Sequence, residues 1–212
     1  MSLSSRRREY ARAALDEAHT TADPVEQFRA WFVEAEQANL PEPNAMALAT
    51  ADVNGRPSAR IVLLKDFDLQ GFVFYTDYRS RKGRELDSNP QAALVFHWME
   101  LERQVRICGA VERVDAATSL AYYRTRPVGA KLGAWASRQS SILPDRAALE
   151  DELARVAAQY GERDVPLPPH WGGYRLVPDE IEFWQGRPNR LHDRIQYTRI
   201  SDRQWKRVRL SP

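Results

Sequence analysis

The chain is short of the features that would announce several common functions. Cys108 is its only cysteine, which excludes an intrachain disulfide; inside an apolar run it reads as a small buried thiol. No stretch approaches the roughly 18 apolar residues of a membrane span, and the opening MSLSSRRREY has no apolar core of a secretory signal. A soluble, cytoplasmic protein without membrane partners is expected. The four histidines, His19, His97, His170 and His192, lie far apart, and none has a His or Cys at ligand spacing, so no metal is expected. Neither sign of charge dominates: 31 basic against 29 acidic side chains leave +2, which argues against a nucleic-acid binder. Glycine-rich phosphate loops are missing as well, with no P-loop and no G-x-G-x-x-G between strand and helix. Any phosphate must be held by side chains.

What is present is a core-forming pattern. The 212 residues, 43% hydrophobic, suit one domain. Residues 1–22 are polar and basic without a hydrophobic period and read as a flexible N-terminal arm; the single domain is expected over 23–212. Asp23, Pro24 and Glu26 supply an N-cap, a first-turn proline and a capping-box partner, and Val25, Phe28, Phe32 and Ala35 follow at helical spacing. From Ala45 the chain turns to short β-rich runs: AMALAT, a turn at Asn54-Gly55, SARIVLL, a break through DFDLQG, then GFVFYT. After a helical insert near 80–88 come AALVFHW (92–98) and QVRICGAVERV (104–114). Helices are expected at about 116–125 and 145–160, the second closed by Gly161. The last strands are YRLV, EIEFWQ, RIQYTRI and QWKRVRL. Strands in runs, rather than alternating with helices, favour a barrel or sandwich.

Four places could bind an anion. RIVLLK at 60–65 brackets an apolar strand with Arg60 and Lys65, which either emerge into solvent or meet at a polar site. Alternation puts them on opposite faces, so they share a site only if Lys65 lies past the strand. RSRKGR places Arg81 and Lys82 in the first turn of a helix capped by Ser80, where the macrodipole disfavours positive charge; a bound anion, or salt screening, would resolve this. Tyr122 and Arg126 share a helix face and either hold one phosphate or form a plain surface pair. Arg190, His192 and Arg194 fall on one side of an extended segment, where like charges repel unless an anion lies across them. Trp184 either covers an aromatic ligand or packs in the core.

Together these motifs resemble the pyridoxine (pyridoxamine) 5'-phosphate oxidases. The likeness rests on IEFWQ (181–185) followed after four residues by RLHDR (190–194). It extends through RIVLLK (60–65), FYT (74–76), SRK (80–82), LERQV (101–105), RP (126–127), GAW (133–135), SRQSS (137–141) and PLPPHWGGYR (166–175).

The resemblance implies a mainly β fold with peripheral helices: a split β-barrel with Greek-key connections, binding FMN between the subunits of a homodimer. It implies FMN contacts from Arg60, Lys65, Tyr75, Thr76, Arg81, Lys82, Gln104, Gln139, Ser140, Trp184 and Arg194. Substrate phosphate would fall to Lys65, Tyr122 and Arg126, and the pyridine ring to the catalytic pair Arg190 and His192. Arg7 and Tyr10 match an arm that closes over the ligand. The implied reaction oxidises pyridoxine or pyridoxamine 5'-phosphate to pyridoxal 5'-phosphate with dioxygen, releasing hydrogen peroxide. One position departs: the family usually has serine three residues after the proline of RP, and this chain has Ala130. Two rivals are a phenazine-biosynthesis flavin oxidase, whose pattern lacks the lysine ending RIVLLK, and a non-catalytic flavin or pyridoxal phosphate carrier, which would not need Arg190 and His192.

Overall fold

The computed structural model describes residues 9–161, 164–202 and 204–212. Its first helix, α1 (Pro24–Gln37), starts where the capping pattern places it: the Asp23 carboxylate accepts from the N–H groups of Val25 and Glu26. The buried stripe of α1 includes Phe28, Trp31 and Ala35. Phe28 meets Phe67, Phe72 and Phe96 with ring centroids 4.9–5.0 Å apart, and Trp31 meets Phe183 edge-on at 5.2 Å. The helix thereby plugs one end of a β-barrel core with aromatic rings.

The barrel is one antiparallel sheet of nine strands: β1 (Ala45–Ala51), β2 (Pro57–Leu63), β3 (Asp66–Asp68), β4 (Gly71–Asp77), β5 (Gln91–Trp98), β6 (Arg103–Arg113), β7 (Trp171–Gln185), β8 (Asp193–Ser201) and β9 (Gln204–Arg209). The order is β2-β1-β5-β6-β7-β4-β3, with β8 on β7 and β9 on β8. In the stretch β4-β7-β6-β5, three strands follow one another and β4 lies beside the last, a Greek key. The architecture is a mainly β split barrel with peripheral helices, as the resemblance implies. Those helices are α2 (Arg81–Ser88), α3 (Ala116–Thr125), α4 (Val128–Ala136) and α5 (Arg146–Tyr160), besides α1.

β7 organises the sheet. One edge pairs with β6 along its length; the other pairs first with β4 (Asp77 to Phe72 against Trp171 to Leu176) and then with β8 (Glu180 to Gln185 against Thr198 to Asp193). Its interior proline, Pro178, looks like a break, which is why YRLV and EIEFWQ read as two strands. The fold keeps them continuous by a bulge: Cys108 pairs with Glu180 but Gly109 with Pro178, leaving Asp179 as the extra residue. Gly109 permits it, because a Cβ there would sit 2.0 Å from the Val177 carbonyl oxygen.

Three other expectations are corrected. The DFDLQG break contains β3, a short strand paired with β4. α4 was not foreseen, since VGAKLGAWA has two glycines and little amphipathic pattern; its small residues face a cavity instead of a core. The arm is docked from Tyr10 onward. The Ala11 and Arg12 N–H groups both donate to Glu102 Oε2 at 2.9 Å, Leu15 is buried and its N–H reaches Asp193, and the Tyr197 hydroxyl donates to the Thr21 carbonyl. Its polar sequence hides this because backbone groups make most of the contacts. Arg7 lies outside the described residues. None of the helices among the described residues is long and apolar enough to cross a membrane.

Candidate active site

A cavity of about 570 Å³ lies between β2, β4, α2, α3 and α4. Its wall carries Lys65, Tyr75, Thr76, Lys82, Tyr122, Arg126 and Gln139, seven of the residues singled out from the sequence, together with Ala130. Lys65 follows the end of β2, with its N–H bonded to the Val73 carbonyl, so it escapes the alternation that separates it from Arg60. Tyr75 stacks on Tyr122 with centroids 4.0 Å apart and on Trp171 at 5.4 Å. Gly173 makes room for that stack, since a Cβ there would meet the Tyr75 ring at 2.8 Å.

Arg126 ends α3 as its C-cap residue, and its guanidinium lies over the Trp171 ring at 4.7 Å. Its Nη1 is buried without a hydrogen-bond partner among the described residues. Burial lowers its pKa. A buried guanidinium nitrogen left open costs stability unless a ligand acceptor meets it.

Lys82 is a buried cation, 8% exposed. Its ammonium donates to Thr76 Oγ1 at 3.1 Å and Gln139 Oε1 at 2.8 Å, neither of them charged. Desolvation, helped by repulsion from Arg60, pushes its pKa down to about 8. Neighbouring Arg60 and Arg81 do not line this cavity. Both are held by Glu85, Arg81 Nε at 2.8 Å and Arg60 Nη2 at 3.3 Å. Ser140, next to Gln139, is exposed with φ 66°. An unpaired guanidinium nitrogen, a buried ammonium and a stack of parallel rings fit a planar, phosphorylated ligand.

The remaining predicted residues form a second set at the other end of β7. Gln104, Trp184 and Arg194 are cross-strand partners in one row over β6, β7 and β8. Trp184 packs on His192 with centroids 4.5 Å apart, and Tyr10 of the docked arm meets both rings at 5.8–5.9 Å. The His192 ring accepts at Nδ1 from the Arg187 N–H at 3.1 Å, which leaves its proton on Nε2. Burial and the adjacent Arg190 lower its pKa, which favours the neutral ring. Between Gly172 and Trp184 the strand contour is roughly 40 Å at about 3.3 Å per residue.

The expected cationic face of Arg190, His192 and Arg194 does not form. Asn189 and Arg190 have φ of 55° and 62°, and extended structure starts only at Asp193, so alternation does not apply across 190–194. Arg194 is neutralised by Glu182, with bonds of 2.8 and 3.0 Å. Glu182 also accepts from Arg106 at 2.5 Å. Reasoning from sequence missed Glu85, Glu182 and Trp171. Only Arg81-Glu85, at helical i,i+4 spacing, left a readable signal; the Glu182 contacts need the strand register. Among the described residues, no group of three His, Cys, Asp or Glu side chains could hold a metal.

Residues 32–160 match the pyridoxamine 5'-phosphate oxidase family, and residues 171–212 match the pyridoxine 5'-phosphate oxidase C-terminal dimerisation region. The chain belongs to the pyridoxine/pyridoxamine 5'-phosphate oxidase family. Family members from Thermosynechococcus vestitus (61% identical, 97% of each chain) and Herminiimonas arsenicoxydans (59% identical, 100% of each) align essentially end to end. Among solved structures, PhzG from Burkholderia lata, in complex with tetrahydrophenazine-1-carboxylic acid, superimposes with a TM-score of 0.89 at 34% identity, covering 95% of this chain and 99% of that one. The second residue set, at Trp184, Arg190, His192 and Arg194, falls inside the family's dimerisation region.

Lys82 supplies a test of the cavity's electrostatics. Its folded pKa of about 8 is below the usual 10.5, so between those values the unfolded chain binds more protons and stability rises with pH. Lys82→Met should therefore stabilise the ligand-free protein at pH 7 by up to about 3 kcal/mol, at about 1.36 kcal/mol per pKa unit. That advantage should shrink as pH climbs from 8 towards 10.5. Urea unfolding of both proteins across this range measures it; a constant difference would mean that the ammonium is not depressed.

Proposed function

We propose that this chain is an FMN-dependent oxidase converting pyridoxine or pyridoxamine 5'-phosphate into pyridoxal 5'-phosphate, with dioxygen as the electron acceptor. Hydrogen peroxide is the second product, and the amine substrate, taking up water, also yields ammonia. The observation that carries this reading is the convergence of Lys65, Tyr122 and Arg126 on one cavity, with Arg126 Nη1 buried and without a hydrogen-bond partner among the described residues. Two cations and a hydroxyl suit a phosphate dianion. FMN, when bound, supplies the redox chemistry, accepting a hydride equivalent from C4' of the substrate and passing the electrons to dioxygen.

The protein's part is binding and orientation. Lys65, Tyr122 and Arg126 grip the substrate phosphate, so the ring cannot turn away from the reacting geometry. Lys82, Thr76, Gln139 and Ser140, with Arg60 and Arg81 behind them, hold the phosphate and ribityl chain of the cofactor, and Tyr75, Gln104, Trp184 and Arg194 complete its site. His192, in its neutral form with the proton on Nε2, offers a hydrogen-bond donor to the substrate ring, and Arg190 stabilises negative charge there.

The two residue sets lie at opposite ends of β7 within one protomer, and the second is in the region matching the family's dimerisation segment. We infer a homodimer in which the cavity of one subunit is completed by Arg190 and His192 of the other. The PhzG likeness favours a second reading, oxidation of a reduced phenazine carboxylate. Identities near 60% along the full chain to pyridoxine/pyridoxamine 5'-phosphate oxidases favour the first.

The purified protein should show the visible spectrum of bound flavin and release peroxide on addition of pyridoxine 5'-phosphate. A colourless protein that stays inactive with added FMN would refute the proposal; turnover of dihydrophenazine carboxylates alone would shift it to the second reading. Arg126→Ala and His192→Ala should each be inactive. Co-expressed, they should regain roughly a quarter of wild-type activity, because random pairing gives half heterodimers, each with one intact site. No recovery would place both residues in one subunit's site. Ala130 lines the cavity beside Arg126, where a hydroxyl would add one bond to the phosphate. Ala130→Ser should lower KM for pyridoxine 5'-phosphate, by roughly 1.5 kcal/mol or about tenfold at most; an unchanged KM would mean that another group already fills this role.

A further inference from the structure

Glu85 belongs to none of the family motifs above, yet it is one of the most heavily bonded side chains in the protein. It sits on the second turn of α2, 6% exposed, against β1 and β2. One carboxylate oxygen accepts from Arg81 Nε at 2.8 Å. The other accepts from Thr50 Oγ1 at 2.5 Å, Ser58 Oγ at 2.6 Å and Arg60 Nη2 at 3.3 Å. Burial alone would raise its pKa, but hydrogen bonds from Ser58, Thr50, Arg81 and Arg60 overcome this and pull it down to about 2. The carboxylate is charged wherever the protein is folded and active.

We propose that Glu85 is a positioning residue for the cofactor phosphate, holding the Arg60 and Arg81 guanidinium groups as one fixed pair beside Lys82. This rests on the FMN reading given above. Arg60 and Arg81 repel each other, and Arg60 also disfavours the charge on Lys82. Without a shared counter-ion the cheapest escape is for Arg81, whose side chain is half exposed, to swing into solvent. Arg60 has less freedom: Nη1 is also tied to Thr50 Oγ1 at 2.6 Å and the Leu48 carbonyl at 3.2 Å, and Nη2 to Ser58 Oγ. Glu85 therefore fixes the mobile member of the pair relative to the immobile one. An anionic ligand then meets donors that are already oriented, and loses less on ordering them. The carboxylate's own repulsion of a phosphate is small, because two guanidinium groups and two hydroxyls already surround it.

A purely structural role, clamping α2 to the β1-β2 hairpin, would make a different prediction. Riboflavin shares the ring and ribityl chain of FMN but lacks the phosphate. Flavin fluorescence quenching on the cofactor-free protein should show Glu85→Gln binding FMN about tenfold more weakly while its riboflavin affinity is unchanged. Glu85→Asp, which keeps the charge but is too short to span both guanidinium groups, should give a smaller loss with the same selectivity, and it serves if the Gln variant does not fold. Arg81→Gln should lose a similar factor for FMN, and adding Glu85→Gln to it should cost little more. Equal losses for FMN and riboflavin, or no loss for FMN, would overturn the proposal. If the unmodified protein itself fails to prefer FMN over riboflavin, the FMN reading falls, and this inference with it.

Discussion

Like charges must be held close together before any ligand arrives, and much of the local structure answers that constraint. Lys82 lines the cavity with Arg60 close behind it and Arg81 sharing the Glu85 carboxylate with Arg60, while Arg106 and Arg194 flank the far end of β7. Each group has its own remedy. Glu85 binds one guanidinium group from β2 and one from its own helix α2, and Glu182 binds two from β8 and β6. Lys82 has uncharged acceptors and a depressed pKa. Arg126 lies on an indole. The differences sort the cations: those with a carboxylate are fixed in direction, while Arg126 keeps an unspent donor. Fixed donors give preorganisation, and open ones give a reason to bind.

Much of the fold was legible in the sequence because it follows local rules. The Asp23 cap, the Asn54-Gly55 turn, the Ser80 cap and the alternating strands all act within a few residues. What escaped has non-local causes. The continuity of β7 through Pro178 depends on Gly109, some seventy positions earlier, and α4 is shaped by a cavity. The docking of residues 10–22 uses backbone N–H groups, which leave no mark on composition.

The candidate site was legible as a list of residues but not as an arrangement. The residues singled out from Lys65 to Gln139 line one cavity, yet alternation failed at RLHDR because two residues with positive φ precede β8. The partner of Arg194 was hidden for a related reason. A salt bridge across strands exists only once the register does, and register belongs to the sheet as a whole.

β7 has a consequence for the order in which the molecule is made. It is the neighbour of β4, β6 and β8, and it begins only at Trp171. During synthesis the chain therefore emerges through β6 and three further helices with β4 lacking its main-sheet neighbour and β6 paired on one edge only. A barrel wall is missing for most of translation, with Phe72, Phe74, Val105 and Ile107 lacking their final cover. Long-range pairing of this kind is slow and leaves apolar strand faces open to wrong partners. The growing chain passes through its most aggregation-prone stage just before its last forty or so residues close the sheet.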